Sequence, residues 1–242
     1  LQTETWDIRK KAFDVFPAVS FPDLFMKRVK SDSDWTLFDP KEVLDVTWKK
    51  LQDTFCEEFE AFYAECEVND KIKLKETVKA RDIFKEFMKT TVETWMPYSF
   101  FRDSVNRVNP NKHAWNIYST QLCVEICQNT SPSKFIEETI EWGNVVIKYE
   151  PGDSVVCNLA SINVAKVNTP EDIKKVMPIC ARLLDNVITI NFYPIKEAEL
   201  TAKKYRSIGI WFLWLAQYLA ENKLAYDTLE AREATDKLFE KY

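Results

Sequence analysis

Glycine is scarce in this chain. There are three glycines in 242 residues, whereas the usual share of about 7% would give about 17. Neither a Gly-rich phosphate loop nor a nucleophile elbow can be found. Histidine is scarcer still, with His113 alone, and no Cys-x-x-Cys pair occurs. A structural zinc site is therefore not expected.

Strong charge of one sign and long apolar runs are also missing. The formal net charge of -5 gives no sign of a nucleic-acid-binding surface. The longest apolar stretch, residues 208–219, is shorter than the ~18 residues of a membrane span, and no signal peptide is visible. We therefore expect a cytoplasmic protein with neither nucleic acid nor membrane as a partner. In a reducing cytosol its cysteines are thiols, at Cys56, Cys66, Cys123, Cys127, Cys157 and Cys180.

Periodicity and capping residues predict helices that alternate with strands. The predicted helices begin at or cover residues 23–26, 40–62, 82–94, 170–187, 197–205, 216–221 and 230–241. The predicted extended segments cover residues 116–127, 145–148, 155–164 and 207–212. This alternation predicts an α/β architecture with parallel strands. No composition shift marks a linker, so residues 1–242 are expected to form part of one domain with no separate second domain.

The segment 116–127 carries chemically active side chains at alternate positions. On a strand, successive side chains point to opposite faces, so Gln121, Cys123 and Glu125 would share one edge. An amide, a thiol and a carboxylate would then form a chemical face. Spacing alone leaves a second interpretation open, in which Cys123 is a small buried residue beside a surface acid. The same structural interpretation applies to Cys157, which lies in a predicted apolar strand.

Several motifs together resemble one enzyme family, the large (catalytic, alpha) subunit of ribonucleotide reductase. They occur in the expected order along nearly the whole chain. The matching motifs are PDLFMKRV at 22–29, DWTLF at 34–38, NRVNPNKHA at 106–114, LCVEI at 122–126, VCNLASIN at 156–163, NFYPI at 191–195 and RSIGI at 206–210.

The resemblance implies a fold and a role for each candidate residue. It implies part of a ten-stranded α/β barrel, with a finger loop at about residues 116–128. Cys123 would become the thiyl radical that takes the ribose 3′ hydrogen, and Glu125 would be the general base on the 3′ hydroxyl. Cys157 would be one of two cysteines that supply electrons and end as a disulfide. A thiol pair can store two electrons in this way.

The resemblance also implies cofactors and partners. The radical would be generated outside this segment, by a dimetal small subunit or by adenosylcobalamin. The segment itself would bind no metal. The expected partners are a ribonucleotide, the radical-generating small subunit, thioredoxin or glutaredoxin as reductant, and a second copy of the full subunit.

Two departures from the family pattern leave an alternative open. Gln121 stands where the family usually has a substrate-binding Asn. The chain also begins without Met, and the partner of Cys157, the phosphate-binding loop and the C-terminal shuttle cysteines are missing. We therefore expect a piece of a longer polypeptide that is inactive alone. The alternative function is a non-catalytic, degenerate barrel module that assembles with or regulates a partner subunit.

Tryptophan is as abundant as glycine is rare, with eight residues. Trp35 matches a family Trp, and Trp142 has no counterpart that we can place. The remaining six stand where the family pattern has Gly: Trp6, Trp48, Trp95, Trp115, Trp211 and Trp214. One hypothesis accounts for both anomalies, namely that UGA encodes Gly in the source organism and was translated as Trp. The alternative is genuine Trp with unusual repacking.

Overall fold

The computed structural model describes residues 15–242. The chain divides into two compact units, Leu1–Thr130 and Ser131–Tyr242, which are described separately below. In the part of the chain that the structure describes, no helix is long and apolar enough to cross a membrane.

The first unit alternates short strands with helices. Its elements are β1 (Ala18–Phe21), α1 (Asp23–Ser31), β2 (Asp34–Phe38), α2 (Pro40–Thr47), a 3-10 turn (Leu51–Asp53), α3 (Cys56–Val68), β3 (Lys75–Lys79), α4 (Ala80–Thr94), β4 (Tyr98–Phe101) and α5 (Arg102–Val108). β1 pairs in parallel with β4, with Ala18 opposite Tyr98. β2 pairs antiparallel with β3, with Asp34 opposite Lys79.

The start of α2 follows directly from its sequence. Asp39 accepts a hydrogen bond from the backbone N–H of Glu42 at 2.7 Å, and Pro40 occupies the first helical position, where its missing N–H is not needed. The prediction of one helix over 40–62 is wrong. α2 ends at Thr47 because Trp48 is left-handed, and the chain passes through the 3-10 turn before α3 begins.

Two apolar clusters hold the first unit together. One contains the buried residues Phe21, Phe25 and Ala80, which join β1 and α1 to α4. The other contains Val43, Phe62, Cys66 and Ile72, which join α2 to α3. Burial of apolar side chains is the main favourable contribution to folding.

Polar contacts fix α3 against β2. The hydroxyl of Tyr63 accepts from the backbone N–H of Thr36 and donates to its carbonyl, both at 2.7 Å. Burial raises the pKa of Tyr63, so the phenol stays protonated. Arg28 donates two 2.6 Å hydrogen bonds to Glu67. This ion pair lowers the pKa of Glu67.

A single buried carboxylate serves two helix N-termini. Asp103, on α5, is fully buried. Its Oδ2 accepts from the N–H of Asp23 at 2.8 Å, and its Oδ1 accepts from the N–H of Cys56 at 3.0 Å. Those two amides begin α1 and α3, and N-terminal amides have no partner within their own helix. Asp103 therefore fixes three helices relative to one another.

The second unit contains a hairpin followed by a parallel strand pair with helical crossovers. Its elements are β5 (Lys134–Glu141), β6 (Asn144–Glu150), β7 (Leu159–Asn163), α6 (Pro170–Ile190), α7 (Lys196–Tyr205), β8 (Gly209–Leu213), α8 (Leu215–Glu221) and α9 (Leu229–Phe239). β5 and β6 pair antiparallel around the turn at 142–143. β7 pairs in parallel with β8, with Leu159 opposite Gly209.

The mixed α/β prediction is confirmed, with a different strand arrangement. Across residues 15–242 the strands form four two-stranded sheets, two parallel and two antiparallel, and no closed barrel. The sequence prediction omitted the first five of these strands, β1 to β5. Thr169 caps α6, since its Oγ1 accepts from the N–H of Asp172 at 3.2 Å.

Candidate active site

The candidate site lies on the irregular segment that follows α5 in the first unit. Its entry is held by Asn106, which is buried on α5. The Asn106 amide accepts from the N–H of Ile117 at 2.9 Å and donates to its carbonyl at 3.0 Å. A side-chain amide thus pairs with a backbone residue as a neighbouring strand would. Ile117 itself is buried, so this point of the segment is fixed by both packing and hydrogen bonds.

Two further buried asparagines tie the ends of the segment together. Asn109 donates to the carbonyl of Trp115 at 3.1 Å. Asn129, at the far end, donates to the same carbonyl and to that of Asn111. Buried amides need such partners because an unsatisfied polar group is unfavourable away from water. The two ends of the segment 115–129 are therefore held close together by these hydrogen bonds.

Between these anchors the chain forms a loop that Gln121 closes on itself. The N–H of Val124 donates to the Gln121 carbonyl at 3.1 Å. The N–H of Ile126 donates to the side-chain Oε1 of Gln121, also at 3.1 Å. Val124 has a φ of 67°. The prediction of an extended segment over 116–127 is wrong, because this turn interrupts it, and the shared strand edge for the three polar residues is wrong with it.

The loop exposes its chemically active side chains together with an apolar one, Leu122. Cys123 and Glu125 are exposed. Their neighbours Leu122, Val124 and Gln121 line a cavity of about 200 Å³. The other walls come from the first strand pair and from residues just before the loop, including Phe16, Ala18, Ser20, Phe100, Tyr118 and Thr120. The thiol and the carboxylate thus adjoin, in sequence, residues that line a small cavity with mixed polar and apolar walls, and neither belongs to that wall.

Aromatic packing supports the wall at Tyr118. Its ring meets that of Phe55 edge-on, with centroids 5.4 Å apart. The guanidinium of Arg102 lies 4.2 Å from the Phe55 ring centroid, and its Nη2 donates to the carbonyl of Thr54 at 2.5 Å. Burial raises the pKa of the Tyr118 phenol. Tyr118 is thus a neutral hydrogen-bonding group beside the cavity.

Cys127 differs from Cys123 in the same loop. It is partly buried, and burial, with a smaller contribution from Glu125, raises the pKa of its thiol. Its Sγ lies 3.9 Å from the carbonyl of Val124. Cys127 is therefore less accessible than Cys123.

Cys157 belongs to the second unit. It precedes β7 and is half-buried. The prediction that Cys157 lies within a strand is therefore wrong, because the strand begins only at Leu159. The backbone carbonyl of Asn158, the residue after Cys157, accepts from the N–H of Gly209 at 3.0 Å, and its side-chain amide donates to the carbonyl of Leu184 at 2.8 Å. These bonds fix the backbone directly after Cys157.

The remaining thiols lie on helices. Cys56 begins α3, Cys66 is buried within it and Cys180 lies on α6. Burial raises the pKa of both Cys56 and Cys66. Among residues 15–242, no group of three or more His, Cys, Asp or Glu side chains could hold a metal ion.

Sequence reasoning missed the roles of Asn106, Asn109 and Asn129. The motif at 106–114 begins inside a helix, because its first residues belong to α5. One signal was available, because three asparagines in a segment with many apolar residues need partners when buried. Their partners are backbone groups far along the chain, which spacing does not reveal.

Comparison with known proteins identifies the family. The family model described as ribonucleotide reductase, barrel domain, matches residues 2–242. The chain therefore belongs to the ribonucleotide reductase barrel-domain family.

Its curated relatives carry matching names. The chain is 39% identical to a ribonucleoside-diphosphate reductase subunit alpha of Helicobacter pylori, over 99% of this chain and 34% of the relative. It is 37% identical to the corresponding subunit of Treponema pallidum, over 100% of this chain and 29% of the relative. It is 31% identical to a ribonucleoside-diphosphate reductase large subunit of Caenorhabditis elegans, over 99% of this chain and 28% of the relative. The chain thus spans about a third of the length of these relatives.

Proposed function

We propose that this chain is the central part of a ribonucleotide reductase catalytic subunit that acts in the cytoplasm. Its reaction would convert ribonucleoside diphosphates to deoxyribonucleoside diphosphates for DNA synthesis. The names of the curated relatives support the diphosphate. The observation that carries the proposal is the anchored loop, which exposes Cys123 and Glu125 next to residues that line a cavity.

We assign the hydrogen-atom step to Cys123. A thiyl radical at its Sγ takes the 3′ hydrogen of the ribose and later returns a hydrogen atom. Such a radical must be positioned accurately, because geometry contributes much of the rate of a reaction between bound groups. The asparagine anchors at 106, 109 and 129 support this role, since they fix both ends of the loop.

Glu125 is the proposed base on the 3′ hydroxyl. A carboxylate within hydrogen-bond reach of a hydroxyl can accept its proton as charge develops. The two ends of the Gln121 amide have different roles in this proposal. Its Oε1 accepts from the N–H of Ile126 within the loop, so its Nε2 is the group that would bind the substrate.

Cys157 is the proposed electron donor, together with a second cysteine outside this chain. Oxidation of the two thiols to a disulfide releases two electrons and two protons, which matches the reduction of one ribonucleotide. Thioredoxin or glutaredoxin would restore the thiols. The radical itself would come from a dimetal small subunit or from adenosylcobalamin, which supplies one-electron chemistry when present.

We further propose that both compact units belong to one ten-stranded α/β barrel in the full-length subunit. The match of the barrel-domain family over residues 2–242 supports this. The paired strands Ala18–Phe21 with Tyr98–Phe101 and Leu159–Asn163 with Gly209–Leu213 are parallel, as a barrel with helical crossovers requires.

The test is turnover of the full-length subunit with its radical-generating partner and a thiol reductant. Cys123→Ser is expected to abolish deoxyribonucleotide formation, because a hydroxyl gives up a hydrogen atom far less readily than a thiol. Cys127→Ser, four residues away in the same loop, is the matched control and is expected to retain activity. Full turnover by the Cys123→Ser subunit would favour the non-catalytic module instead.

A further inference from the structure

Tryptophan occupies an unusual share of the left-handed backbone positions. Within residues 15–242, nine residues other than glycine have positive φ: Asp32, Trp48, Cys56, Trp95, Val124, Trp142, Arg206, Trp214 and Lys223. Four of these are Trp, whereas the other five are of five different types. For a bulky side chain, positive φ is a true outlier.

Two of the four tryptophans end helices in the way that glycine normally does. Trp48 follows α2 with φ 56° and ψ 16°, and Trp95 follows α4 with φ 62° and ψ 10°. Each N–H donates to a carbonyl four residues earlier, Leu44 and Thr91 respectively, at 2.8 Å. Helices very often end in this left-handed geometry, and the residue there is usually Gly because it has no Cβ to clash.

The other two tryptophans occupy tight connections. Trp142 has φ 54° and is followed by Gly143 with φ 80°, and together they form the two-residue link between β5 and β6. A hairpin link with two positive φ angles strongly favours Asn-Gly, Asp-Gly or Gly-Gly. Trp214 has φ 67° and ψ 26° in the single-residue connection from β8 to α8.

The indole rings at these positions contribute little packing. Their exposed fractions are 87% for Trp48, 84% for Trp95, 99% for Trp142 and 57% for Trp214. Trp is normally retained for the large apolar area that it buries. Trp35 is the contrast within the same chain. It lies in β2, and its ring stacks on Tyr63 with centroids 4.3 Å apart.

We propose that the natural protein has glycine at positions 48, 95, 142 and 214, encoded by UGA. The source organism then carries a tRNA that reads UGA and accepts glycine. Reading the same codons as Trp produces both the tryptophan excess and the glycine deficit. The proposal is independent of the function proposed above, so its failure would leave the reductase assignment unchanged.

The geometry and the family resemblance make different predictions at three positions. Trp142 has no counterpart in the resemblance, yet its backbone is left-handed. Trp115 and Trp211 match family glycines, and their backbones are not among those with positive φ. Trp6 lies outside the described residues. Position 142 is therefore the position that tests the structural argument by itself.

The deciding experiment reads the codons and the natural protein together. We expect UGA at codons 48, 95, 142 and 214 and UGG at codon 35. Peptide mass spectrometry of the full-length subunit purified from the source organism should then find glycine at the first four positions and Trp at position 35. UGG at codon 142, or Trp-containing natural peptides at 48, 95, 142 or 214, would overturn the proposal.

Stability provides a second test that does not depend on the gene. In the full-length subunit, the combined Trp→Gly substitutions at 48, 95, 142 and 214 are expected to raise the midpoint of thermal unfolding. Each single Trp→Gly substitution should lower the unfolding equilibrium constant about fivefold or more, because Gly adopts the left-handed backbone at that position without strain. Trp35→Gly is the control and should lower the midpoint. A quadruple variant less stable than the Trp-containing chain would contradict the proposal.

Discussion

The carboxylate of Asp103 offers the sharpest quantitative test of the fold. It is fully buried and accepts one backbone hydrogen bond from α1, at Asp23, and one from α3, at Cys56. A hydrogen bond to a charged acceptor contributes about 1.5–3 kcal/mol, and loss of a helix cap typically destabilises by about 1 kcal/mol. Removing both acceptors should therefore lower the free energy of unfolding by about 4 kcal/mol.

Two substitutions separate the contributions. Asp103→Ala removes both acceptors, and we expect the full loss of about 4 kcal/mol. Asp103→Asn keeps the shape and one acceptor oxygen but turns an N–H donor toward the other helix. It should therefore lose about half, roughly 2 kcal/mol, or about 30-fold in the unfolding constant. Asp70→Asn, at an exposed position of the same unit, is the matched control and should change stability by less than about 0.5 kcal/mol.

The assay combines urea unfolding, followed by far-UV circular dichroism, with hydrogen exchange followed by mass spectrometry. Exchange should accelerate at the first turns of both α1 and α3 in Asp103→Ala, because both lose their acceptor. If Asp103→Ala unfolds within about 0.5 kcal/mol of the control, or if only one helix loses protection, the shared-cap argument fails.

Three further predictions concern the rest of the chain. Glu67→Gln should remove about 2 kcal/mol at neutral pH, because the bonds from Arg28 hold the pKa of Glu67 below its usual 4.5. In the unsubstituted chain the stability from this ion pair is present above pH 4.5 and is lost as the pH falls through the lower pKa of Glu67 in the folded state. The free energy of unfolding of Glu67→Gln should therefore lack this decrease when the pH is lowered. Asn106→Leu should speed amide exchange at Ile117 and cut turnover of the full-length subunit about tenfold or more, because a positional error of ~1 Å has large kinetic effects; unchanged exchange would contradict the anchor. Gly152→Ala should destabilise by about 2 kcal/mol in thermal unfolding, because an added Cβ would lie 2.1 Å from the carbonyl oxygen of Ser131; a neutral effect would refute this contact.

Local signals predicted helix starts better than strands. The helices predicted to begin at 40 and 170 do begin there, after caps at Asp39 and Thr169, because a cap needs only residues three positions apart. The break after α2 could not be predicted, because it depends on left-handed backbone at Trp48, a residue type that gives no turn signal. β1 to β5 were missed because the first four are only four or five residues long and β5 is largely exposed, so that each needs its partner strand to be recognised.

The shape of the loop that carries the candidate residues was not predicted. Alternation suggested a strand at 116–127, since the apolar residues 122, 124 and 126 have period two. That period does not survive in the structure, because Leu122 is exposed like Cys123 and Glu125. The cavity is lined by Gln121, Leu122 and Val124, and Ile126 is not part of its wall. The turn arises from the side chain of Gln121 bonding Ile126, and no propensity scale includes a specific bond of this kind. The roles of Cys123, Glu125 and Cys157 remain predictions.

The pairing of Asn106 with Ile117 limits where this region can change in length. An inserted residue advances an extended chain by about 3.3 Å, so an insertion after Ile117 would displace Cys123 by nearly the full width of a hydrogen-bonded contact. An insertion in the turn at 110–114 would keep that pairing but would disturb the contacts of Asn109 with Trp115 and of Asn129 with Asn111. Natural length variation, and engineered tags or spacers, should therefore be rejected between positions 109 and 126.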